Sequence, residues 1–198
     1  MPVNKEKVNE LIYEALETEL GGEQIYKTAI TCAKNPELKE EWQKYLEETL
    51  THQEHILAVV TAFGLDPEKE TPGRKVVRHI GESLVKAMQM AKQSAPDSAE
   101  VVAAECVVLA ETKDHQNWTL LSKLGEAMKG AEGTAIRDAV EAVEDQEDEH
   151  LYHTRGWSRE LWIDALGMPA VLPPPEEEKE VKTMIGAARA EQQRDKML

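Results

Sequence analysis

Four long helical stretches, each with an apolar stripe broken near its middle by ionisable residues, constrain this chain more than any other feature. The stretches run from about Asn4 to Ala33, Leu38 to Phe63, Asp97 or Ser98 to Met128, and Thr134 to Leu166. A shorter fifth one, from Pro72 to about Ser94, lies between the second and third. Their stops are Asn35-Pro36, Gly64 with Asp66-Pro67, Gly130 with Gly133, and Gly167 with Pro169, residues that end or restart helices for steric reasons. Stepping by fours and threes keeps to one helix face. The first stripe reads Val8, Ile12, Ala15, Glu19, Gly22, Tyr26, Ala29, Ala33, and the second Leu38, Trp42, Tyr45, Thr49, His52, Ile56, Val59, Phe63. After the short helix come Val101, Ala104, Val108, Glu111, His115, Trp118, then Ile136, Val140, Val143, Glu147, His150, Thr154, Trp157.

The tight joins at Pro36 and Gly130–Gly133 make two antiparallel hairpins, and the short helix bridges them. The expected fold is all-α: a four-helix bundle of two hairpins with a long crossover. Residues 1–168 form that bundle, and residues 169–198 a Pro-rich extended arm with a short C-terminal helix or tail. Aromatics make up only 5% of the chain, and β-branched runs are scarce, which excludes an all-β fold.

The interruptions share a height. Glu19 lies 17 residues before Pro36 and His52 16 after it; Glu111 lies 20 before Ala131 and His150 19 after. Carboxylates buried together cost several kcal/mol per ion, on the order of 3–5, unless a positive charge sits among them. Imidazole and carboxylate projected inward from facing helices suit iron, manganese or zinc.

These residues resemble the ferritin-like superfamily, in particular its rubrerythrin and bacterioferritin branch. That family places a Glu on the first and third core helices and Glu-x-x-His on the second and fourth. Glu147-Asp-Glu-His150 is the motif intact; His52-Gln-Glu-His55 carries His where the family has Glu. Aromatics follow the lone Glu residues by seven positions, as Glu19/Tyr26 and Glu111/Trp118. Glu19 and His52 are 33 residues apart, the family's separation; Glu111 and Glu147 are 36 apart, which makes Asp114 a rival to Glu111.

The resemblance implies two metal ions, iron foremost and manganese or zinc otherwise, held by Glu19, His52, His55, Glu111, Glu147 and His150. Glu48, Asp114, His115, His153, Tyr26 and Trp118 are further ligands or supports for them. It also implies oxidation by dioxygen or peroxide, with a non-redox, zinc-binding or metal-free bundle as the alternative and iron storage less favoured. Two separated cysteines, Cys32 and Cys106, cannot build the four-cysteine iron site of rubrerythrins, so electrons would come from another protein.

Lys and Arg number 23 against 38 Asp and Glu, a net charge of −15. That charge disfavours nucleic acid and anionic membranes as partners. The polar stretch Met1–Lys7 lacks the apolar run of a secretory leader, and the unpaired cysteines suit a reducing cytoplasm. A homo-oligomer, a dimer foremost, is the expected assembly. Met184-Ile-Gly-Ala-Ala in the tail is a candidate docking peptide.

Overall fold

A computed structural model describes residues 3–198; Met1 and Pro2, the start of the polar N-terminal stretch, lie outside the described residues. The described residues are helical with no strand: α1 (Lys5–Ile30), α2 (Pro36–Ala62), α3 (Pro72–Ser94), a 3-10 turn (Pro96–Ser98), α4 (Ala99–Ala127), α5 (Gly130–Ala165), α6 (Pro175–Glu178) and α7 (Met184–Gln193). None of the helices is long and apolar enough to cross a membrane.

Local chemistry sets the ends. The Asn4 side chain caps α1 by accepting from the Lys7 amide at 3.2 Å. Asn35 caps α2, with Pro36 in the first turn, and Thr71 does the same for α3 ahead of Pro72; proline is tolerated there because the first-turn N–H has no helical partner. Gly64, at φ +62°, closes α2, and the Leu65 amide reaches back to the Val60 carbonyl at 3.0 Å, a left-handed stop that favours glycine. Helix α5 begins at Gly130 rather than at the expected Thr134. Gly133 therefore lies inside its first turn, where a Cβ would sit 2.4 Å from the Met128 carbonyl oxygen.

Helix α1 packs on α2 and α4, and α5 packs on the same two, so the four long helices close a ring; α3 lies outside it against α1 and α4. Glu17, 5% exposed, holds α3 in place. It accepts from Arg74 Nε at 2.9 Å and Arg78 Nε at 2.6 Å. At the opposite end, Glu100 Oε1 accepts from the Lys34 and Asn35 amides, tying the α1–α2 turn to α4.

The core is divided. One apolar cluster holds Ile25, Tyr26, Leu38, Trp42, Tyr45, Val107 and Trp157. The other holds Ile12, Leu16, Ile56, Val59, Trp118, Leu121, Ile136 and Val143. Each such side chain contributes roughly 1.5–3 kcal/mol by leaving water. Between the clusters lies a polar layer.

The stripe of α4 differs from its expected course. Ala104, Val107, Glu111, Asp114, Trp118 and Leu121 are buried, whereas Val101, Val108 and His115 are only half-buried. A residue of the wrong chemistry, Asp114, occupies the true inward position, which drew the sequence reading one place aside.

Residues 169–198 do not extend away from the helices. Helices α6 and α7 fold back on α5, where Leu151, Tyr152, Val181 and Ala190 form a small apolar cluster. Gly156 permits the approach: a Cβ there would lie 2.8 Å from Glu176 Oε2. Arg159 and Arg194 complete the attachment, pairing with Glu176 and with the fully buried Glu160. In the tail peptide, Met184 and Ile185 are exposed at the start of α7.

Candidate metal centre

The polar layer collects Glu19 from α1, His52 from α2, Glu111 and Asp114 from α4, and Glu147 and His150 from α5. All six are 5% exposed or less. His52 Nδ1 lies 2.9 Å from Glu147 Oε1 and 3.8 Å from Glu19 Oε1. His150 Nδ1 lies 3.7 Å from Glu111 Oε2 and 3.8 Å from Glu147 Oε1. The two candidates on α4 are not alternatives: one helical turn apart, Glu111 and Asp114 both face inward.

Each of the six keeps one buried atom with no hydrogen-bond partner: Glu19 Oε2, His52 Nδ1, Glu111 Oε2, Asp114 Oδ1, Glu147 Oε2 and His150 Nδ1. Native interiors leave few such atoms, because each costs about 1–3 kcal/mol. Here they are gathered in one layer.

The opposite atoms are held from behind. Trp118 Nε1 donates to Glu19 Oε1 at 2.8 Å, and Tyr26 Oη donates to Glu111 Oε1 at 2.8 Å. Each aromatic thus braces the carboxylate of the other helix. His52 Nε2 lies 2.8 Å from Gln146 Oε1 and His150 Nε2 2.9 Å from Glu48 Oε2. With each Nε2 facing an acceptor oxygen, each Nδ1 points inward, and it becomes a ligating nitrogen once it gives up any proton it holds. Glu48 is therefore a support for His150.

Electrostatics agree with the geometry. Burial, with Glu147 nearby, raises the Glu19 carboxyl well above its ordinary range. Burial, with Glu19 and Glu147, does the same to Asp114. Burial opposes charge on His150, but Glu111 and Glu48 overcome it and push its pKa up to about 10. The layer draws in protons because it holds too much negative charge for an apolar interior.

Three expected residues stand elsewhere. His55 is half-buried and, among the described residues, is not one of the donors gathered in the layer. It lies one turn on from His52, as Asp114 does from Glu111 and His150 from Glu147, but α2 is turned so that His52 is fully buried and His55 sits at the edge of the buried face. His115 faces the α4–α5 flank, where its Nδ1 pairs with Asp148 at 3.2 Å. His153 belongs to a separate group beyond Tyr45. Its Nδ1 lies 3.1 Å from Tyr45 Oη, 3.5 Å from Glu41 Oε1 and 2.9 Å from Glu177 Oε2. Tyr45 itself packs on His150 with ring centroids 4.1 Å apart.

Sequence reasoning missed Gln146, Glu41 and Glu177. Gln146 precedes the motif Glu147 and is offset from the stripe, so only the packing of α2 on α5 reveals it. Glu41 carried one signal, its position one turn before Tyr45. Glu177 lies in the acidic run Glu176–Glu178, a pattern that ordinarily faces water and so carries no signal of a buried role.

Among the described residues, two sets of donor atoms lie within 4.8 Å of one another in this layer, His52 with Glu147 and His150, and Glu19 with Asp114 and Glu147. Glu147 is common to both. On the α4–α5 face, a cavity of about 30 Å³ lined by His115, Trp118, Glu147 and Asp148 reaches the layer, room for a water-sized molecule. No family model, curated protein or solved structure matches the chain.

Proposed function

We propose that the chain is a ferritin-like four-helix bundle that binds a dinuclear metal centre, iron foremost, and acts on a small oxidant such as dioxygen or peroxide. The observation that carries this reading is the set of six unpartnered, buried donor atoms in one layer. Glu19, His52, Glu111, Asp114, Glu147 and His150 hold the ions. With Asp114 included there are four carboxylates, enough to neutralise two divalent cations with both imidazoles neutral. When bound, iron supplies electrons for reducing the oxidant.

The remaining work belongs to the chain. Trp118, Tyr26, Gln146 and Glu48 fix the outer atoms of four ligands, so little reorganisation accompanies binding. The apolar clusters on either side exclude bulk water, and the small cavity at Glu147 limits what can enter. Binding releases protons from His150, Glu19 and Asp114, so affinity rises with pH. Re-reduction requires an external donor protein.

A zinc-binding, non-redox role is the second reading, favoured by the two imidazoles directed at one carboxylate oxygen. Metal analysis of protein purified without added metal, followed by anaerobic Fe2+ loading and exposure to air, separates the readings. Retention of about two ions per chain and accelerated oxidation of Fe2+ support the first. Retention without oxidation leaves the second, and no retention of any metal overturns both.

A further inference from the structure

The donors in the inner layer are divided unevenly by kind. The His52 and His150 rings stack at 28° with centroids 5.5 Å apart, and both Nδ1 atoms approach the same oxygen, Glu147 Oε1, at 2.9 and 3.8 Å. Glu111 Oε2, itself unpartnered, lies 3.7 Å from His150 Nδ1 on this side. The second set, Glu19, Asp114 and Glu147, contains carboxylate oxygens alone.

An even division would pair His52 with Glu19. The Glu19 oxygen nearest His52 is Oε1, which already accepts the Trp118 N–H, whereas the oxygen left over is Oε2. The braces therefore favour one nitrogen-rich position and one oxygen-only position. Imidazole suits iron and zinc; carboxylate alone suits manganese and magnesium.

We propose, resting on the dinuclear reading above, that the centre is heteronuclear. A divalent ion of the iron or zinc type lies between His52, His150, Glu111 and Glu147, and Mn2+ lies among Glu19, Asp114 and Glu147. His52, standing where the family pattern has Glu, then gathers both nitrogens at one position. Gln146 makes this possible, because its neutral oxygen orients the ring without adding charge.

The test uses the full chain, stripped of metal and dialysed to equilibrium against about one equivalent of Zn2+ and excess Mn2+. The expected result is one zinc and one manganese per chain, with an electron paramagnetic resonance spectrum of isolated Mn2+. Asp114→Asn is expected to weaken Mn2+ about tenfold or more while changing Zn2+ less than about threefold, and His52→Gln to do the reverse. Zinc spread evenly over both positions, with exchange-coupled manganese pairs in the remaining chains, overturns the proposal in the wild type alone. Equal weakening of both metals by each variant overturns it as well. Two ions of one kind per chain sink heteronuclearity but leave the dinuclear centre standing; no bound metal removes both.

Discussion

Replacing Asp114 by asparagine should make the metal-free protein more stable and the metal-loaded protein less so. Asp114 is 5% exposed, and burial with Glu19 and Glu147 holds its carboxyl well above the ordinary range. Above the unfolded carboxyl's pKa, the unfolded chain has lost this proton while the folded chain keeps it. Stability therefore falls as pH rises towards the raised native value, by about 1.4 kcal/mol per pH unit for each such group. Glu19, His150 and His153 also make stability fall with pH in both proteins, so the variant differs from wild type by the loss of the Asp114 contribution. Urea unfolding in excess chelator from pH 5 to 8 measures the difference. The variant should draw ahead of wild type as pH rises from 5, by at most about 1.4 kcal/mol per pH unit. Metal should invert the order, because ligand binding stabilises by about 2.7 kcal/mol at a hundred times Kd. A variant no more stable than wild type at pH 7.5 in chelator, with the same pH slope, would refute the claim that this layer carries surplus negative charge.

Tyr26→Phe strips Glu111 of its one hydrogen bond, and thermal unfolding should show a loss of about 1–3 kcal/mol in the metal-free protein. Arg74→Met leaves the buried Glu17 with only Arg78 (39% exposed side chain), so urea unfolding should show a loss approaching the 3–5 kcal/mol typical of a broken buried pair, about 3 kcal/mol or less. His153 is burdened by burial but held at about 9 by Glu177 and Glu41. Its stabilising contribution is full below the unfolded histidine value near 6.5 and is lost as pH rises through about 9. In Glu177→Gln, NMR titration should find the His153 pKa lowered. Arg194→Ala removes a partner of Glu160, and limited proteolysis should cut within residues 169–198 sooner than in wild type while the long helices stay intact.

The long helices were legible because their stops are chemical: Asn35-Pro36, Gly64 and Gly167 act on the backbone whatever the tertiary context. The depth of Glu19, His52, Glu147 and His150 was legible because two short turns fix hairpin heights by counting. What could not be read was rotation. Helix α4 tolerates half-buried Val101 and Val108, so its periodicity is shallow, and Asp114 could be read only as a rival to Glu111 rather than as a residue buried beside it. The Glu-x-x-His template placed His55 as a ligand, but the rotation of α2 buries His52 and leaves His55 half-buried, whereas α5 buries both Glu147 and His150. The arm was illegible for another reason: its anchors, Arg159 and Glu160 on one side and Glu176 and Arg194 on the other, are paired only after the chain turns back.

The ionic layer between two apolar clusters also limits how such a chain can change in length. One added residue inside a long helix, between the layer and the nearer cluster, turns everything beyond it by about 100°. A buried carboxylate or imidazole of the layer, or an anchoring aromatic, would then swing out of place. Insertions after Phe63 or before Pro96 leave the angular phase untouched. Natural variation in length should therefore concentrate in the connections around α3, while the intervals from Glu111 to Leu121 and from Val143 to Trp157 behave as fixed gauges.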